Sequence, residues 1–167
     1  MTTLSLTSVL VDGLILSLSL SVVILGSLYV NPRLWLHDYP AAMQERVPPL
    51  TRAEKRARLA LTTLFLGVGF AALAYSSGRL LAANGGTVSF LTAFVHFFLM
   101  MNIFNLFDAV VLDFLLLALL KPKFAVLPGT EDLVYLFEDW GMHLRNYLKG
   151  IIVCAVLSIP VALVVAF

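Results

Sequence analysis

One long apolar run constrains the fold of this chain more than any other feature. From residue 88 to residue 120, 33 positions are predominantly apolar, and about 20 such residues already span the hydrocarbon core of a bilayer as a helix. At 1.5 Å per residue the run extends roughly 50 Å, so a helix there must tilt, kink or protrude. The run therefore predicts a membrane-spanning helix rather than part of a soluble core.

Three further apolar runs indicate a polytopic membrane protein. They cover residues 8–30, 59–76 and 151–167, and the last contains Pro160. Hydrophobic residues make up 60% of the chain and charged residues 13%, which lies outside the usual range of soluble domains. The sequence predicts an all-α fold with a single membrane domain, residues 1–167, of four transmembrane helices. We expect a lipid bilayer around it and no nucleic-acid partner.

The distribution of basic residues predicts the orientation in the membrane. Of the 11 lysines and arginines, six lie between the first and second runs and four between the third and fourth, whereas the turn between the second and third holds only Arg79. Connections rich in lysine and arginine stay in the cytoplasm, so both termini are expected outside. The start of the chain has no basic residue, and we expect no cleaved signal peptide.

A polar face lies in the middle of the long third run. Polar groups at hydrocarbon depth are costly, and they are candidates for function by default. On an ideal α-helix four such residues fit within about 140° of one face, namely Asn102, Asn105, Asp108 and Asp113. No lysine or arginine lies in the middle of an apolar run, so no ion-pair partner is expected there, and water should reach Asp12 near the outer end of the first run. The shared face predicts a partner helix, a cavity or a bound ligand.

Acid–base chemistry on this face is disfavoured by the α-helical spacing. Asp108 and Asp113 are five residues apart and diverge by about 140° on an α-helix, which suits a shared proton poorly. His96 points away from them, and we expect it to be packed or to face a pore. The Gly-x-Ser-x-Gly pattern of hydrolases is absent. The sequence therefore assigns no catalytic residue and no metal ligand, and it names no cofactor.

The two long connections hold a second candidate site, at the predicted cytoplasmic face. Four side chains there could converge: His37, Asp38, Asp139 and His143. Asp139 and His143 are four residues apart, so on one helix they would form half of a divalent-metal site. Because surface helices often carry such a pair by chance, the alternative is a set of solvated charges.

Helix signals occur in both connections. Thr51 and Glu54 have the spacing of a capping box, which predicts that the second helix begins in the cytoplasm. After Thr130, a good N-cap residue, apolar side chains recur with a helical period, which predicts an amphipathic helix over residues 131–149 that lies on the inner membrane face and ends at Gly150. The alternative is that its apolar face docks on the loops of the protein itself.

Several segments resemble a family of uncharacterised small bacterial integral membrane proteins with four helices. The resemblance rests on residues 31–40, 105–108, 121–131 and 143–150. It implies a family of its own and a multi-pass protein of the bacterial inner (plasma) membrane, and it implies no activity.

Three functions remain compatible with these patterns. The first is a non-catalytic structural or assembly module, acting as a homo-oligomer or as a subunit of a larger membrane complex. The second is a small proton, ion or solute transporter or channel that uses the polar face around Asp108. The third is a membrane enzyme that acts on lipid at the cytoplasmic loops.

Overall fold

The computed structural model describes residues 3–167, which fold into helices joined by short turns. The α-helices are α1 (Leu6–Val30), α2 (Ala41–Arg46), α3 (Arg52–Ala83), α4 (Phe90–Phe107) and α5 (Trp140–Ala166). Shorter 3-10 helices cover Pro32–Asp38, Lys123–Ala125 and Glu131–Glu138, and a π-helix, Asp108–Leu120, continues α4. The predicted all-helical chain is confirmed, with four helices long and apolar enough to cross a membrane.

The four long helices form a bundle in which α4 is central. It packs against α1 on one side and α5 on the other, and α1 also packs against α3. Of the 32 residues of α3, only Ser76 and Leu80 are buried. Residues 31–51 and 121–139 lie together at one end of the bundle, which we call the connection end, and the turn at residues 84–89 lies at the opposite end.

Small residues allow the central helices to approach each other closely. Gly13 of α1 is buried against Ile103 of α4, and a Cβ added to Gly13 would lie 2.7–2.9 Å from three Ile103 atoms, the Cβ included. On α5, a Cβ at Gly150 would overlap the side chain of Asn105. Such contacts are typical of helix packing in membranes, where small side chains bring backbones together.

The third long helix changes its hydrogen-bonding pattern at Asp108. From there to Leu120 the backbone is π-helical, with bonds between residues five apart, and it ends where the Lys121 N–H donates to the Leu116 carbonyl at 2.8 Å. Residues five apart are therefore neighbours on successive turns. The expected divergence of Asp108 and Asp113 by about 140° assumed an α-helix and is wrong.

The prediction of one amphipathic helix over residues 131–149 is also wrong. The segment is a 3-10 helix up to Glu138, and α5 then runs through Gly150 without a break. Two capping contacts explain the difference. The Thr130 hydroxyl donates to the Leu127 carbonyl at 2.8 Å and does not cap a helix, whereas the Asp139 carboxylate accepts from the Met142 N–H at 3.0 Å and starts α5.

The two connections share a hydrophobic core of their own at the connection end. Its buried members are Leu36, Tyr39, Met43, Val47, Leu50, Leu127 and Phe137. The Tyr39 hydroxyl joins the connections by donating to the Ala125 carbonyl at 2.6 Å. Leu133 and Leu136 pack on this core, so the apolar face after Thr130 docks on the protein's own loops, as the alternative interpretation held.

The predicted start of the second long helix is confirmed. The Glu54 N–H donates to the Thr51 hydroxyl at 3.2 Å, and the Thr51 N–H donates to Glu54 Oε2 at 2.8 Å, which completes the capping box. Arg33 Nε lies 2.5 Å from Glu54 Oε1. This ion pair fastens the first connection to the beginning of α3.

Candidate functional site

A cavity of about 530 Å³ opens at the connection end between α1, the π-helix, α5 and the two connections. Its volume falls within the range of small-molecule sites in proteins. Apolar and aromatic side chains line much of it, among them Trp35, Tyr39 and Phe137. Its ionisable lining residues are His37, Asp38, Asp108, Asp113 and His143. We call this space the acidic cavity.

The π-helix brings two carboxylates to the acidic cavity. Asp108 and Asp113 both line it and are both partly buried. Within residues 3–167, no lysine or arginine lines the same space. Carboxylates collected in a partly buried site without a permanently charged basic partner favour binding of a cation or a proton.

His143 is oriented by contacts at both ring nitrogens. Its Nε2 lies 2.7 Å from the Phe137 carbonyl oxygen, which can only accept, so Nε2 carries a hydrogen. Its Nδ1 lies 3.2 Å from Asp113 Oδ2. Without a proton between them, Nδ1 and Oδ2 are both acceptors and repel each other. A proton on either atom makes the contact attractive. His143 is therefore held at the cavity wall with its Nδ1 turned toward the Asp113 carboxylate.

The 3-10 helix of the first connection contributes His37 and Asp38 to the cavity wall. Burial by surrounding protein atoms raises the pKa of the Asp38 carboxyl above its ordinary value of 3.8, and the Asp113 charge acts in the same direction. The positive charges of Arg58 and His37 oppose this rise. Next to it, burial raises the pKa of the Tyr39 hydroxyl, which stays protonated and donates to Ala125.

We expect Asp38→Asn to stabilise the protein at neutral pH. A raised pKa means that folded Asp38 holds its proton more tightly than the unfolded chain does, so its contribution to stability falls as the pH rises through that pKa. Removing the charge removes this cost. The melting temperature of Asp38→Asn should exceed that of the wild type at neutral pH. The increase should be small because solvent still reaches the side chain despite the protein atoms around it, and the difference should disappear below about pH 3.8.

Glu45→Gln is the matched control for this titration. Glu45 is an exposed residue of the same connection and lies outside the acidic cavity, so its melting temperature should follow the wild type at every pH. If Asp38→Asn stayed equally stabilised in acid, the carboxylate charge would not be the cause. That result would contradict the explanation by the raised pKa of Asp38.

The predicted polar face of the third run divides into two parts. Asp108 and Asp113 line the cavity. The Asn102 amide instead donates to the Phe98 carbonyl of its own helix at 2.8 Å, and the Asn105 amide donates to the Tyr147 carbonyl of α5 at 3.1 Å. Asn105 therefore joins two helices, and neither asparagine belongs to the candidate site.

The candidate site predicted in the connections is also divided. His37, Asp38 and His143 line the acidic cavity, whereas Asp139 caps α5 and lies 4.0 Å from Arg145. The partner of His143 is therefore Asp113, and not Asp139 as the sequence predicted. Among the described residues, no group of three or more histidine, cysteine or acidic side chains is close enough to hold one metal ion.

Sequence reasoning missed a second polar cluster, buried near the opposite end of the bundle. Asp12, only 1% exposed, forms an ion pair with Arg79 and accepts from the Ser76 hydroxyl at 2.7 Å. His96 Nε2 lies 2.7 Å from the same hydroxyl, and His96 is buried. The expectation that water reaches Asp12 is wrong, because α3 continues past its apolar run to Ala83 and places Arg79 beside it. The sequence did offer one signal for this cluster: Ser76 and Arg79 are three residues apart, which places them on one face of a helix.

The fold and the cavity together define an all-helical protein with four helices long and apolar enough to span a membrane and an acidic site at one end. No family model, no curated protein and no solved structure matches the chain. The resemblance to a bacterial membrane-protein family therefore stays a prediction.

Proposed function

We propose that this chain is an integral membrane protein that binds a small organic cation in the acidic cavity and exchanges it for a proton. One observation carries the proposal: Asp38, Asp108 and Asp113 line one cavity, and no lysine or arginine of the described residues lines it with them. The four apolar helices support the membrane placement. The excess of basic residues at the connection end supports a cavity that opens to the cytoplasm, with both termini outside.

The composition of the cavity favours an organic cation over a metal ion. Trp35, Tyr39 and Phe137 line it beside the carboxylates, and aromatic faces attract organic ammonium groups. The described residues hold no cluster of three metal-ligating side chains. A space of about 530 Å³ is also far larger than a bare metal ion needs.

Charge balance explains how a proton takes part. An ammonium group that enters the cavity is neutralised by an ionised carboxylate, so a proton held by Asp108 or by the Asp113–His143 pair leaves as the cation arrives. The reverse exchange releases the cation. This proposal develops the transporter function predicted from the polar face, with cation binding as its first step.

Calorimetric titration of the detergent-purified protein tests the binding step. We expect 2-phenylethylamine to bind and to release protons, while 2-phenylethanol, which lacks the charge, does not bind. Asp108→Asn should weaken amine binding by about 30-fold or more, since loss of one partner of a buried charge pair costs several kcal/mol. Asp132→Asn is the matched control, because Asp132 is exposed and lies outside the cavity.

Three results would contradict the proposal. One is equal binding of the amine and the alcohol, and another is equal weakening by Asp108→Asn and Asp132→Asn. The third is failure of a panel of amines (2-phenylethylamine, tetraethylammonium and spermidine) to bind the folded wild-type protein.

The other predicted functions stay predictions. Nearly all of the α3 surface is unburied, which leaves it available to lipid or to another protein chain, so a homo-oligomer or a larger complex remains to be tested by mass measurement in detergent. No contact among residues 3–167 favours a lipid-acting enzyme at the connections.

A further inference from the structure

A second hollow, of about 510 Å³, lies between the first connection and the beginning of α3. It is lined by Leu36, His37, Pro49, Leu50, Lys55, Arg58, Leu59 and Thr62. We call it the basic groove, because its ionisable residues are Lys55, Arg58 and His37 and no carboxylate of the described residues lines it. His37 is shared with the acidic cavity.

The two cations of the basic groove have no ion-pair partner among the described residues. Elsewhere at the connection end, Arg33 pairs with Glu54, and Arg46 pairs with Asp132. In the part of the chain that the structure describes, neither Lys55 nor Arg58 lies within 4.0 Å of a carboxylate oxygen. Arg58 acts on Asp38 only through space, by lowering its pKa. Two neighbouring unpaired cations facing a hollow attract an anion.

The remaining lining of the basic groove is apolar and leads onto the apolar part of α3. Leu36 and Leu50 are buried in its floor, and Leu59 is exposed one turn beyond Lys55. The groove therefore offers positive charge at the end of a long apolar helix and apolar surface immediately next to it. A ligand that matches both halves has an anionic head and a hydrocarbon tail.

We propose that the basic groove binds an anionic phospholipid, with its phosphate between Lys55 and Arg58 and an acyl chain along Leu59. Basic side chains at the cytoplasmic boundary attract anionic headgroups, and each adds measurably to binding. The inference rests on the membrane placement proposed above and is independent of the ligand of the acidic cavity.

Native mass spectrometry of the protein in detergent micelles tests the inference. Each lipid is added at increasing concentration. Phosphatidylglycerol should reach half-saturation of the protein at about tenfold lower concentration than phosphatidylcholine. Lys55→Gln/Arg58→Gln should abolish this preference, and Arg58→Lys should keep most of it, because it keeps the charge. The melting temperature of each variant establishes that it is folded.

Arg52→Gln/Arg56→Gln is the matched control. It removes the same charge from the same two turns of α3, and both residues are exposed and lie outside the groove, so the preference should persist. Equal loss of the phosphatidylglycerol preference in the two double variants would overturn the inference. It would show that the lipid is attracted by the overall positive charge of this end and not by the groove. Displacement of the lipid by an equal concentration of glycerol 3-phosphate would overturn it as well, since the ligand would then be a free phosphate.

The failure of this inference is distinguishable from a failure of the membrane placement. A chain that stays in solution without detergent contradicts the membrane placement itself. A chain that requires detergent but binds both lipids equally contradicts the lipid site alone.

Discussion

Arg79→Met will lower the free energy of unfolding by about 3–5 kcal/mol, the usual cost of leaving one partner of a buried ion pair alone. Asp12 is 1% exposed, and Arg79 is its permanently charged partner, while His96 Nε2 lies 3.6 Å from Asp12 Oδ2. The Ser76 hydroxyl also donates to Asp12, at 2.7 Å, but a neutral donor does not replace a cation. Because Asp12 lies on α1 and Arg79 on α3, the loss should loosen the packing of α3, which few other buried residues hold.

The double variant Asp12→Asn/Arg79→Met separates the lost charge pair from lost packing. It leaves no uncompensated charge, so it should recover much of the stability lost in Arg79→Met. Arg46→Met is the control, since Arg46 and Asp132 are both exposed and such pairs contribute at most about 1 kcal/mol. Thermal or denaturant unfolding in detergent measures all three variants. A loss below about 1 kcal/mol for Arg79→Met would contradict the prediction, because it would mean that water or His96 compensates the Asp12 charge.

Gly13→Ala and Gly26→Ala will change stability in opposite directions, although both lie on α1. At Gly13 the new methyl group would lie 2.7–2.9 Å from Ile103 atoms that include its Cβ, which cannot rotate away. The helices must separate, and overpacking of this kind costs about 1–3 kcal/mol. At Gly26 nothing lies within 4 Å, so alanine should gain up to about 1 kcal/mol from its higher helix propensity.

Unfolding of both variants under the same conditions measures this difference. Ile103→Ala in the Gly13→Ala background should restore part of the lost stability, because it removes the side-chain atoms beyond Cβ that meet the new methyl group. If Gly13→Ala and Gly26→Ala were equally stable, α1 and α4 would not be in the close contact that the structure gives them.

Asp12 and Asp108 show how the same residue type takes different roles at the two ends of the bundle. Asp12 is compensated by Arg79 and joins helices. Asp108 lines a cavity with two further carboxylates and with no lysine or arginine of the described residues. The first arrangement is therefore expected to govern stability, and the second to govern ligand binding.

Part of the candidate site was predictable from the sequence. Asp108, Asp113, His37, Asp38 and His143 are conspicuous, because charged or ionisable groups beside long apolar runs are rare. The sequence placed Asp108 and Asp113 on one polar face and the other three residues at a separate site. It did not predict that the two sets line one cavity, nor that the helix becomes π-helical at Asp108. Periodicity arguments assume 3.6 residues per turn and cannot detect that change.

The helical architecture follows from local features of the chain. Four apolar runs, the capping box at Thr51 and the position of the basic residues predict long helices with two large connections at one end, because these features act through local hydrogen bonding and burial of apolar surface. Which polar groups meet depends instead on the packing of the helices against one another. Arg79 with Asp12, and His143 with Asp113, are pairs between helices far apart in the chain. Such pairs depend on how helices rotate and cross, and close packing at Gly13 and Gly150 sets that geometry without leaving a periodic signal in the sequence.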